Sequence, residues 1–107
     1  MVGEHGLNEH HFQFEWNEAK AAANLRKHGV SFELASTTFG DPRILTLADA
    51  THSESEERWF SIGLASTGAL MSVAYLLTDA APGLAKIRLI SARRATATEI
   101  RHYTESQ

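Results

Sequence analysis

The stretch Phe12-Gln13-Phe14-Glu15-Trp16-Asn17-Glu18-Ala19-Lys20 changes its hydrophobic period partway along, and that change decides the fold class. Phe12, Phe14 and Trp16 alternate with polar residues, the period of a half-buried strand. Asn17 then reads as a helix N-cap, with Glu18 in the first turn where the helix dipole favours an acid. The alanine-rich run from Glu18 to His28 is the predicted helix, with Ala21, Leu25 and His28 on one face. Gly29 follows the cationic Arg26, Lys27 and His28 and supplies the left-handed C-terminal stop.

Working outward, Ser31 caps a second short helix carrying Phe32, Ala35 and Phe39, which Gly40-Asp41-Pro42 ends. From there the chain reads as β: strands over 43–47, 58–64, 69–77 and 86–92. In the second of these, Phe60, Ile62 and Leu64 are expected to point inward, with Trp59 on the other face. Ser66-Thr67-Gly68 and Pro82-Gly83 mark turns, and residues 50–57 form a polar, acidic connection. A final helix starts near Ala95 and packs Thr96, Ile100 and Tyr103. The order β-α-α-β-β-β-β-α predicts an α+β fold, a mostly antiparallel sheet with two N-terminal helices and a C-terminal helix against one face. Residues 12–107 make one domain, and 1–11 a flexible polar extension.

Composition narrows the function. The 107 residues contain no cysteine, so disulfides and thiolate metal sites are excluded. No apolar run is long enough to span a bilayer, and Glu4, His5, Glu9, His10 and His11 rule out a signal peptide at the start, which makes the cytoplasm the expected compartment. Neighbouring His10 and His11 make a poor metal site, and no metal or cofactor is expected. The net charge of −3 argues against a general nucleic-acid coat. From Lys86 onward, however, five basic residues (Lys86, Arg88, Arg93, Arg94, Arg101) face two acids (Glu99, Glu105), enough for a local cationic patch.

No phosphate loop, metalloprotease helix or Walker pattern is present. The candidates are scattered cations and histidines. Arg88 shares a strand face with Ile90 and is displayed if helices cover the other face. Arg93 and Arg94 stand where the last strand meets the last helix; either guanidinium could clamp a phosphate, or pair with Glu99. His28 could satisfy helix-end carbonyls or transfer protons; His52 and Arg58 bracket the acidic connection, where a lone histidine is more often simply exposed. Trp16 and Trp59 could pack in the core or stack a nucleobase.

The order of these residues carries more than any one of them. Phe14-Glu15-Trp16, Lys20, Asn24, Lys27-His28-Gly29-Val30-Ser31-Phe32-Glu33 and Phe39-Gly40-Asp41-Pro42 resemble the first half of BrnT-type toxins. The resemblance continues through Asp49, His52-Ser53, Glu56, Arg58, Ile62-Gly63, Ile87-Arg88-Leu89-Ile90-Ser91-Ala92-Arg93 and Tyr103. It implies a RelE-like fold and the toxin of a type II toxin–antitoxin system, an endoribonuclease acting on cellular RNA. It also implies neutralisation by a BrnA-type antitoxin, a ribbon-helix-helix protein through which alone the toxin reaches operator DNA.

For such a reaction a base takes the ribose 2′-hydroxyl proton, cations stabilise the phosphorane and an acid protonates the leaving 5′-oxygen. The resemblance implies Arg58, Arg88 and Arg93 as the cations and His52 or His28 for proton transfer, with Lys27 and Trp16 as RNA contacts. Departures from the family are Ala69 where an arginine is common, the uncharged Leu76-Leu77-Thr78, and a longer loop over 79–85. They leave open a second reading, a catalytically weakened member that binds its antitoxin as a co-repressor.

Overall fold

In the computed structural model, which describes residues 2–7, 12–48 and 58–107, one six-stranded sheet carries three helices. The elements are β1 (Val2–Leu7), β2 (Phe12–Asn17), α1 (Glu18–His28), α2 (Phe32–Ser36), β3 (Leu45–Ala48), β4 (Arg58–Leu64), β5 (Leu70–Ala81), β6 (Leu84–Arg94) and α3 (Ala97–Glu105). A single 3₁₀ turn, Thr37–Gly40, extends α2. The strand order is β1-β2-β6-β5-β4-β3.

The sheet is mixed, which corrects the mostly antiparallel expectation. β2 runs parallel to β6, with Phe14 opposite Ile87 and Glu15 opposite Arg88, so the first long strand sits beside the last. That pairing joins segments about seventy residues apart, and no local pattern encodes it. β1, within the segment read from sequence as a flexible polar extension, pairs with β2. Pairing at a sheet edge uses backbone N–H and C=O groups, and a polar sequence can supply them.

α1 begins and ends where its caps dictate. The Asn17 side chain accepts from the Lys20 N–H, and Gly29, at φ 70°, donates to the Leu25 carbonyl. The face it presents differs from the expected one. Leu25 is 51% exposed, whereas the polar Asn24 is buried. The Asn24 amide donates to the carbonyls of Val30 (2.9 Å) and Ala92 (2.8 Å) and accepts from the Ala92 N–H (3.0 Å). Three bonds to backbone satisfy the buried amide and fasten α1 to β6.

Phe14, Trp16, Phe32, Phe39, Met71, Val73, Tyr75, Ile87 and Leu89 form the main core between the sheet and α1–α2. Phe39 meets Tyr75 edge to face at 4.9 Å between centroids, a favoured aromatic geometry. Trp59 packs against this core and Phe60 lies on the opposite face, the reverse of the expected arrangement. β4 is covered on both sides, so its alternation does not say which face is inward.

α3 accounts for the second cover, and here too the expectation is corrected. Its Glu99 bonds to Ser72, whose neighbours Met71 and Val73 point into the main core, so α3 lies on the other side of the sheet from α1 and α2. A capping box between Thr96 and Glu99 starts it, and no residue of α3 is buried; Ile100 is 41% exposed rather than packed. The predicted long loop over 79–85 is strand up to a two-residue turn, Pro82-Gly83, with Ala81 opposite Leu84 and Gly83 at φ 77°.

Candidate active site

The face turned away from α1 and α2 collects Arg58, Lys86, Arg88 and Arg93 of the sheet. Register places Glu15, Arg88, Leu76 and Arg58 in one row across β2, β6, β5 and β4. A second row holds Ser91, Ala74, Phe60 and Leu47, and a third Arg93, Ser72, Ile62 and Leu45. Arg58 and Arg88 are two strands apart, about 10 Å between their Cα atoms. That is near enough for both guanidinium groups to reach one phosphodiester or two successive ones.

Arg88 and Arg93 are five residues apart, and strict alternation would put them on opposite faces. A β-bulge puts them on the same one. Tyr75 pairs with Leu89 and Ala74 with Ser91, leaving Ile90 as an extra residue in β6. Beyond the bulge, Ala92 turns inward to Asn24 while Ser91 and Arg93 join Arg88. This corrects the pairing of Arg88 with Ile90 on one regular strand face.

Among the described side chains of this face, Glu15 and Glu99 are held in different ways. Glu99 accepts from both ends of the Arg93 fork (2.7 and 2.9 Å), from the Ser72 hydroxyl (2.7 Å) and from the Thr96 N–H (2.8 Å). The Arg93 bond, with the others, holds its carboxyl at about 2 and pushes the Arg93 guanidinium further up. The Arg93 guanidinium carbon also lies 5.9 Å from the centre of the Phe60 ring. Glu15, by contrast, stands 3.7 Å from Arg88 and 3.9 Å from Lys86, beyond hydrogen-bond length.

The other predicted residues fall elsewhere. Trp16 is 1% exposed and meets Phe32 edge to face, so it has no open face for a base. Phe60 is the half-buried aromatic of the arginine face; a regular alternation misplaced it. Lys27 is exposed and His28 half-buried at the end of α1, across the sheet from the arginines. Arg58 is half-buried at the start of β4. His52, like Asp49, Ser53, Glu56, His10 and His11, lies outside the described residues.

Two residues of the motif string hold each other. Asp41 accepts from the Tyr103 hydroxyl (2.7 Å) and from the Leu64 and Arg43 N–H groups (2.9 Å each). Burial raises the Asp41 carboxyl, but these bonds outweigh it and the net shift is downward. Burial, helped by Asp41, lifts the Tyr103 phenol to about 12. Asp41 and Tyr103 therefore tie α3 to the rest of the chain.

Fold and site define a small α+β protein with helices on both sides of a mixed sheet and basic side chains gathered on one face. The chain belongs to the BrnT family: residues 16–99 match the family described as the ribonuclease toxin, BrnT, of type II toxin–antitoxin systems. Membership implies an antitoxin partner. No curated protein matches the chain. Among solved structures, the ribonuclease toxin BrnT of Brucella abortus is similar in fold, with a TM-score of 0.55 and 19% identity, over 76% of this chain and 92% of that one.

Proposed function

We infer that the chain is a metal-independent endoribonuclease that cleaves RNA by attack of a ribose 2′-hydroxyl on the adjacent phosphate, in the cytoplasm. The row Arg58–Leu76–Arg88 on the face away from α1 and α2 is the observation that supports this most directly. Two guanidinium groups so placed supply hydrogen-bond donors and charge where a phosphorane develops, the function a metal would otherwise serve. Arg93 is a weaker candidate for the phosphate, because its fork is taken by Glu99. It serves this face by fixing the start of α3. Proton transfer goes with His52, six residues before Arg58 in sequence, since α1 keeps His28 on the far side of the sheet. The partner is a BrnA-type ribbon-helix-helix antitoxin, and operator DNA is reached only through it.

The test is cleavage of RNA by the purified chain with EDTA present. Cleavage should persist and leave 2′,3′-cyclic phosphate ends, and Arg58→Ala or Arg88→Ala should each lower kcat by about 10²-fold in a folded protein. Intact RNA, with tight antitoxin binding, would favour the co-repressor reading instead.

A further inference from the structure

Glu15 is a carboxylate placed where its charge works against the binding of RNA. It faces the same side of the sheet as Arg88, because Phe14 and Trp16 on either side of it point into the core. Glu15 and Arg88 are direct cross-strand partners, with 3.7 Å between their charged groups. Lys86 stands at 3.9 Å on the other side. On its other edge, Glu15 pairs in register with Glu4 of β1. Both oxygens of Glu99 are occupied by short hydrogen bonds, and Asp41 is engaged by three donors. The Glu15 oxygens meet their cations at charge-pair distance and keep lone pairs for another donor.

We propose that Glu15 is the proton acceptor of the cleavage step, taking the 2′-hydroxyl proton while its neighbour Arg88 holds the phosphate being attacked. This rests on the ribonuclease reading above. In-line attack requires the 2′-oxygen to sit about 3 Å from phosphorus, so the acceptor and the phosphate clamp must be adjacent. Glu15 and Arg88 are. As the proton passes to Glu15, the 2′-oxygen bonds to phosphorus and the bond from phosphorus to the 5′-oxygen breaks. The leaving oxygen keeps the electron pair and takes a proton from water; Glu15 later returns its proton to solvent. The lone pairs of the carboxylate make it an acceptor, which neither cation beside it can be.

The experiment uses the full chain and a short RNA, with a 2′-deoxy version of the RNA to measure binding without cleavage. Glu15→Gln keeps the shape and removes the base. It should lower kcat by about 10²–10³-fold, while binding of the 2′-deoxy RNA stays equal or tightens as a negative charge leaves the face. Glu15→Asp, which keeps the carboxylate, should fall between the two even if the glutamine variant folds poorly. A substrate with sulfur in place of the leaving 5′-oxygen departs without a proton, and Glu15→Gln should remain slow on it. Recovery on that substrate would put Glu15 at the leaving group and overturn the proposal. So would a loss confined to binding, which would make Glu15 a brace for Arg88, or near-normal kcat in Glu15→Gln. If the wild-type chain cleaves no RNA, the ribonuclease reading falls and this one with it; an active wild type beside an equally active Glu15→Gln overturns this one alone.

Discussion

Arg93 and Glu99 form a two-pronged ionic contact, and it acts on stability with a calculable sign. The Glu99 carboxyl is held at about 2 in the folded chain against an ordinary 4.5. A folded value below the unfolded one means the contribution is fully present above the ordinary value and is lost as pH falls toward the folded one. Arg93 is 39% exposed, so solvent screens the pair, leaving about 1–2 kcal/mol for a two-pronged charge-assisted bond. Glu99→Gln should therefore lower the thermal midpoint at neutral pH by about 5–10 °C. It should also flatten the loss of stability that wild type shows between about pH 4.5 and 2. An unchanged acid slope would place the titration in another group. The ion pair was legible in sequence as one of two uses of Arg93, because an arginine at a strand end and an acid at the third position of a helix often meet. What sequence left open was Trp16: an aromatic beside a phosphate site and one in a core look alike until the burial of the strand is known.

β6 carries the element that sequence periodicity could not read. Its bulge at Ile90 lets Leu89 and Ala92 face the main core while Arg88, Ser91 and Arg93 face away. Removing Ile90 leaves Leu89 opposite Tyr75 and Ser91 opposite Ala74 as consecutive pairs of a regular ladder. The deletion should therefore fold with every side chain on its present face. Its cost should be about 1–2 kcal/mol, from the lost burial of a half-buried isoleucine. Deleting Ala74 from the facing strand is the opposite case, since Val73 and Tyr75 would become neighbours and one of them would leave the core. That change should abolish cooperative unfolding. Equal damage from both deletions would mean that the bulge is needed for folding itself. α1 and its caps were legible to the residue because Asn17 and Gly29 are local signals, whereas the β2–β6 pairing and the side taken by α3 depend on contacts far apart in the chain.

At the scale of the molecule, an acidic chain is asked to hold a polyanion, and the distribution of charge decides how it can. The net charge is −3, so distant phosphates are repelled and only those at the arginine face are attracted. Arg58 and Arg88 share one row of that face, while both prongs of Arg93 are engaged by Glu99. Each neutralised phosphate of a single strand contributes about −0.7 to the slope of log affinity against log salt. Two or three contacts predict a slope of about −1.5 to −2 for the 2′-deoxy RNA. Arg58→Ala should make the slope shallower by about 0.7. A slope twice as steep would require a wider basic surface, drawing in Arg94 at the end of β6 and Arg101 of α3. A slope near zero would remove the arginine row from RNA binding, whatever the activity of the protein. The same measurement bears on the departure at Ala69: with an arginine restored there, one more phosphate contact should steepen the slope by a further 0.7 or so if that position reaches the substrate.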